Sequence, residues 1–155
     1  MRIVKWVLLV AVLIQLIPFG HSHTNPPKSG EPAWDSPGTR ELFHRACFDC
    51  HSNETRWPWY AHVAPTSWLL QRDVNEGRRH LNFSEWDRPQ HHRSHVAEQV
   101  KEGEMPPWYY LPMHPQAKLS ETEKRALIAG AEKTLGQQHG PGNHGHEEEE
   151  EEHSH

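Results

Sequence analysis

Residues 31–136 hold only thirteen Val, Leu and Ile, against six Trp, three Tyr and three Phe. A folded unit of this size is marginal without extra help. One so short of aliphatics and so rich in rings is expected to close around something large and flat. The chain contains only two cysteines, Cys47 and Cys50, so no network of disulfides can supply the missing stability.

The ends of the chain do not contribute to that unit. Arg2 and Lys5 precede an apolar run from Trp6 to Phe19, interrupted only by Gln15 and Pro18. This is the layout of a secretory signal or a short membrane anchor, with the positive charges held on the cytoplasmic side. No clear cleavage site follows. Gly20 and Ser22 give a small-x-small pair, which leaves cleavage after Ser22 as the alternative to an uncleaved anchor over 1–22. Residues 23–35 carry prolines and a glycine and read as an extended linker that holds the domain off a membrane. Residues 137–155 end in a run of six Glu among histidines and read as a disordered tail. The six glutamates more than account for the formal net charge of −5. The part left to fold, 36–136, is near neutral, which argues against nucleic acid as a partner.

Within it the periodicity is helical throughout, and the fold class expected is all-α. Ser36-Pro37 offers an N-cap and a proline at the first helical position. Phe43, Ala46, Cys47 and Cys50 then recur on one helical face, so a single first helix is expected to carry both cysteines near its C-terminal end. Residues 67–81, 94–104 and 120–136 read as further helices, the last opened by a Ser120–Glu123 capping box. Four prolines in 105–115 keep that stretch out of any helix.

The chemistry sits in Cys47-Phe48-Asp49-Cys50-His51. A thioredoxin-like pair would need a βαβ context, and structural zinc would need a second pair of ligands at regular spacing. A plain disulfide leaves His51 without a role. C-x-x-C-H is the pattern of covalent c-type haem attachment: two thiols reach the two vinyl groups of one porphyrin, and the adjoining imidazole meets the iron. Export of the domain suits that chemistry, and an aromatic-rich interior suits a porphyrin. Haem c held through Cys47 and Cys50, with His51 on the iron, is therefore the expected cofactor.

For the iron's other side, Met105 is the first candidate, because it stands on a proline-stiffened loop ahead of the last helix. Met113 in the same loop is the second, and a histidine (among His62, His80, His91, His92, His95 and His114) or an open position is the third. His91, His92 and His95 could alternatively hold zinc or copper loosely. Arg56 and a Trp N–H are placed to bond haem propionates, with Trp57, Trp59, Trp108 and Tyr109 walling the ring.

"CFDCHSNETRWPWY", "NFSEW" and "GEMPPWYYLPMHP", in this order, resemble the bacterial haem-binding domain family, small anchored single-haem relatives of cytochrome c, over roughly residues 15–136. The resemblance implies a small cytochrome c-like helical domain with haem bound through Cys47 and Cys50 and His51 as proximal ligand. The function expected is single-electron transfer in the cell envelope, without enzymatic chemistry. Its partners would be envelope redox proteins as donor and acceptor, the haem-attachment machinery, and the inner membrane through the N-terminal segment. A haem-based sensor or a peroxidase-like protein with an open sixth position is the alternative.

Overall fold

The computed structural model describes residues 1–136; the Glu/His tail at 137–155 lies outside the described residues. Six α-helices follow in order: α1 (Arg2–Leu13), α2 (Pro37–Ala46), α3 (Phe48–His51), α4 (Thr66–His80), α5 (Val96–Glu102) and α6 (Glu121–Gly136). Short 3-10 turns join them. Among the described residues the only extended pairing is a single parallel bridge between Gly30 and Glu85. The domain is all-α, as its periodicity predicts.

The helix ends are set locally. Ser36 is extended (φ −153°), and its Oγ accepts the Thr39 N–H at 3.1 Å to open α2. At α6 the Ser120 Oγ accepts from the Glu123 N–H, while a Glu123 carboxylate oxygen accepts the Ser120 N–H at 2.8 Å. Gly103 closes α5 in the left-handed region (φ 77°), which a side chain would resist.

The single cysteine-bearing helix predicted from periodicity is two helices. At Cys47 the backbone swings to φ −124°. The Cys47 N–H still bonds the Phe43 carbonyl at 2.8 Å, and the Cys47 carbonyl still accepts the His51 N–H at 2.9 Å. The bend thus leaves these backbone groups satisfied. What it gains is burial of Phe48, which stacks on Phe83 with ring centroids 5.5 Å apart.

Phe43, Phe48, Phe83, Leu127, Ala131 and Leu135 form the core, with Trp34 and Trp86 packed against it. A side chain at Gly130 would fall on the Thr39 side chain, so α2 and α6 cross at near-backbone distance there. Much of the aromatic content therefore builds this cluster rather than a box around a cofactor.

The segment 23–35 is extended, as its prolines require, but it does not stand off the domain. Arg78 of α4 donates to the Thr24 carbonyl at 2.9 Å and to Asn25 Oδ1 at 2.8 Å, and also to the Ser52 carbonyl and Thr55 Oγ1. The Ser29 N–H bonds the Ser84 carbonyl at 2.9 Å, and Trp34 enters the core. A guanidinium with fixed donors collects carbonyls that an extended strand leaves free, which is why a segment read as linker is docked.

Every residue of α1 is exposed. Its twelve residues rise about 18 Å, well under the roughly 30 Å of a hydrocarbon core. No helix among the described residues is long and apolar enough to cross a membrane. Beyond α1 the Gln15 amide grips the Ala64 backbone twice, donating to its carbonyl and accepting its N–H, both at 3.0 Å.

Candidate functional site

A cavity of about 650 Å3 opens between α3, α4, α5 and the 105–110 loop. That lies within the range of small-molecule and cofactor sites, roughly 300–1,000 Å3. Cys47, Cys50, His51 and Met105 all line it. The four residues singled out by sequence as thioether sites and iron ligands are thus brought to one space.

His51 is the most closely constrained of them. Its Nδ1 lies 3.1 Å from the Leu81 carbonyl, and its own carbonyl accepts the Phe83 N–H at 2.8 Å. A ring whose Nδ1–H is spent on a carbonyl presents a bare Nε2 lone pair, the state in which imidazole binds a metal. Burial pushes its pKa below the ordinary histidine value, which keeps the ring neutral.

The cysteines are free thiols. Burial pushes both up to about 12; for Cys50 the Asp49 and Asp73 charges add to it. A redox-active C-x-x-C pair needs the opposite, a lowered thiol pKa. The approach of α4 to this turn depends on Gly77, where a Cβ would lie 2.5 Å from the Cys50 carbonyl oxygen.

Met105 hangs from the end of α5, where the Glu104 and Met105 N–H groups both bond the Gln99 carbonyl at 3.0 and 3.2 Å. Two tyrosines fasten the rest of its loop. The Tyr110 hydroxyl donates to Asp49 Oδ2 at 2.7 Å, and the Tyr109 hydroxyl to Asp73 Oδ2 at 3.1 Å. Burial, then the Asp49 charge, drives the Tyr110 pKa far up, so it stays a donor. Asp49 also accepts the Arg56 N–H at 3.0 Å. Asp49, Gly77, Leu81 and Tyr110 escape sequence reading, because each acts through a partner distant in the chain.

The aromatic-basic cluster is not where it was expected. Arg56, Trp57 and Trp59 line a second cavity of about 330 Å3, together with Met113 and His114. The two cavities share Asp49, Cys50, Asp73, Tyr109 and Tyr110 as a party wall. Trp57 Nε1 is buried there without a hydrogen-bond partner. Trp108 lines neither cavity and is 79% exposed, against the expectation that it walls the ring. Of its neighbours, Tyr110 is half-buried, while Tyr109 lines both cavities and is still exposed.

Of the histidines considered for the iron, His80, His92 and His95 line the first cavity. His62 lies edge-on to His23 at 4.3 Å. His114 is buried in the second cavity, 3.0 Å from the Tyr60 hydroxyl and stacked on Tyr110 at 3.7 Å. Among the described residues no three His, Cys, Asp or Glu are grouped to hold a metal ion by themselves, so the loose zinc or copper site read into His91, His92 and His95 finds no support.

The donor set therefore fits one ligand class: two half-buried neutral thiols, an oriented imidazole and a thioether around a space of cofactor size. Comparison with curated proteins and with solved structures returned no match. The family model described as a haem-binding domain matches residues 9–133, and the chain belongs to that family.

Proposed function

We propose that the protein is a c-type cytochrome, with one haem held covalently by Cys47 and Cys50, that passes single electrons between redox partners of the cell envelope. The observation that carries this is His51, whose Nδ1 is committed to Leu81 in the cavity it shares with both thiols and Met105. The haem would supply a one-electron couple at its iron. His51 and Met105, which line one cavity, would hold the iron, rather than Met113, which lines the other. The tyrosine–carboxylate bonds fasten the loop that follows Met105, which would limit rearrangement when charge changes. The apolar N-terminal segment would keep the domain at the inner membrane, facing the periplasm.

The test is the full chain, exported by a host able to attach haem. A pyridine haemochrome spectrum of the two-thioether type, a methionine–iron band in the far red and no carbon monoxide binding are expected. Colourless protein with the bare polypeptide mass would refute covalent attachment. High-spin ferrous iron that binds carbon monoxide would favour the sensor or peroxidase-like alternative.

A further inference from the structure

We propose that the domain rests on the bilayer surface through one defined face, built from Trp59, Val63, Leu69, Trp108, Tyr109 and Met113. This rests on the reading of α1 as a membrane anchor. The face is apolar and open: Trp59 is 74% exposed, Trp108 79% and Met113 57%, and the other three are also exposed. It is continuous. Trp59, Leu69, Tyr109 and Met113 surround the second cavity, the Trp108 ring lies 5.9 Å from that of Tyr109, and Val63 follows the turn Trp59–His62. Single exposed apolar residues are ordinary, but a contiguous aromatic group of this kind marks an interaction surface.

The N-terminal helix identifies the occupant. The fully exposed apolar α1 leaves the domain at Gln15, whose amide is bonded on both sides to Ala64, next to Val63. The chain beyond is no free tether. Gly20, at φ 81°, lies so close to the Ser67 backbone that a Cβ would sit 2.8 Å from it. The Ser22 hydroxyl bonds Gln71 Oε1 at 3.0 Å, and His23 Nε2 lies 2.8 Å from the Ala61 carbonyl. A domain fastened this closely to an embedded helix cannot tumble freely, and the aromatic face borders the point of attachment.

Charge supports the same occupant. Of the charged residues lining the second cavity, Arg56 is exposed, with its Nε 3.6 Å from Asp49 Oδ1, while Asp49 and Asp73 are largely covered and also accept from Tyr110 and Tyr109. Tryptophan and tyrosine beside an exposed cation suit the headgroup layer of anionic phospholipid.

The test uses the full-length holoprotein in vesicles of phosphatidylethanolamine and phosphatidylglycerol carrying a trace of diazirine-bearing phospholipid. After illumination, adducts are mapped by peptide mass spectrometry. Adducts are expected on α1, on 59–69 and on 108–113, with none at Glu132 or Lys133 on the exposed side of α6. In Trp59→Glu/Trp108→Glu, and separately in Met113→Glu, labelling of these two segments should drop to the α6 level while α1 labelling and the haem spectrum stay unchanged. Adducts confined to α1, or labelling that the acidic variants leave unaltered, would overturn the proposal and leave the anchor standing. Absence of adducts on α1 as well would remove the anchor and the proposal with it.

Discussion

Replacing Gly77 by alanine tests how the turn that carries Cys47, Cys50 and His51 is held. In the interior of a helix such a change ordinarily gains about 0.5–1 kcal/mol, since glycine is the looser residue. Here the added Cβ would lie 2.5 Å from the Cys50 carbonyl oxygen and 3.0 Å from its carbonyl carbon, both backbone atoms that cannot rotate away. Ordinary contact begins at 3.4 Å, so α3 and α4 must part by 3.4 − 2.5 = 0.9 Å. Overpacking of this kind costs about 1–3 kcal/mol, which outweighs the propensity gain. Less that gain, the net loss expected is up to about 2.5 kcal/mol, at about 4–8 °C in Tm for each kcal/mol. The displacement also reaches His51, the proposed iron ligand, because Leu81 directly follows α4 and accepts from the His51 ring at 3.1 Å. Transmitted in full, the same shift would open that bond to 4.0 Å and release the ring. The assay is haem per polypeptide, thermal melting and the ferric spectrum of Gly77→Ala from a haem-attaching host. Gly38→Ala in α2 is the control, because its Cβ would meet only Ser36 Oγ at 3.8 Å and should be neutral or slightly stabilising. A Gly77→Ala holoprotein with unchanged melting and an unchanged spectrum would refute the reasoning.

Met105→Ala should abolish the far-red methionine band and lower the reduction potential, while Met113→Ala, which alters the second cavity only, should leave both as they are; visible spectra and a redox titration read the difference. Tyr110→Phe and Asp49→Asn should each loosen the Met105 loop, and a double-mutant cycle by denaturant unfolding should show a coupling of about 1.5–3 kcal/mol, the range for a hydrogen bond to a charged group. The Glu123 carboxyl is held down to about 2 by the Ser120 backbone N–H and by Arg45. A lowered folded-state pKa contributes stability that is present above the ordinary carboxyl value of 4.5 and lost as pH falls toward 2. Melting temperature should therefore fall across that window in the parent and fall less steeply in Glu123→Gln.

What was legible in the sequence and what was not divide by the range of the interactions. The caps at Ser36 and Ser120 are complete within four residues, so their sequence pattern is their mechanism. The C-x-x-C-H spacing is equally local, and Met105, singled out by the prolines beside it, lines the same cavity as Cys47, Cys50 and His51. The break at Cys47 was hidden because both halves keep a helical apolar pattern. It exists so that Phe48 can reach Phe83, a contact made across thirty-five positions that periodicity cannot register. The docking of 23–35 was hidden for a related reason: proline shows that a strand is extended, but the Arg78 that captures it lies in another helix. The tryptophans make the sharpest case. Their number implied something flat to pack against, and that inference fixed a need without fixing an address. Trp34 and Trp86 went to the phenylalanine cluster, Trp57 and Trp59 to the second cavity and Trp108 to the surface. An indole is large enough to satisfy any of these sites, so its position depends on which neighbours the helix crossings bring within reach. The proposed attachment turn is specified by Cys47, Cys50 and His51 alone, with the two positions between the cysteines left open, whereas the walls of the site depend on Tyr110 meeting Asp49 across sixty-one positions. Substitutions at Tyr110 or Asp49 should therefore change what the haem environment does without changing whether haem is bound.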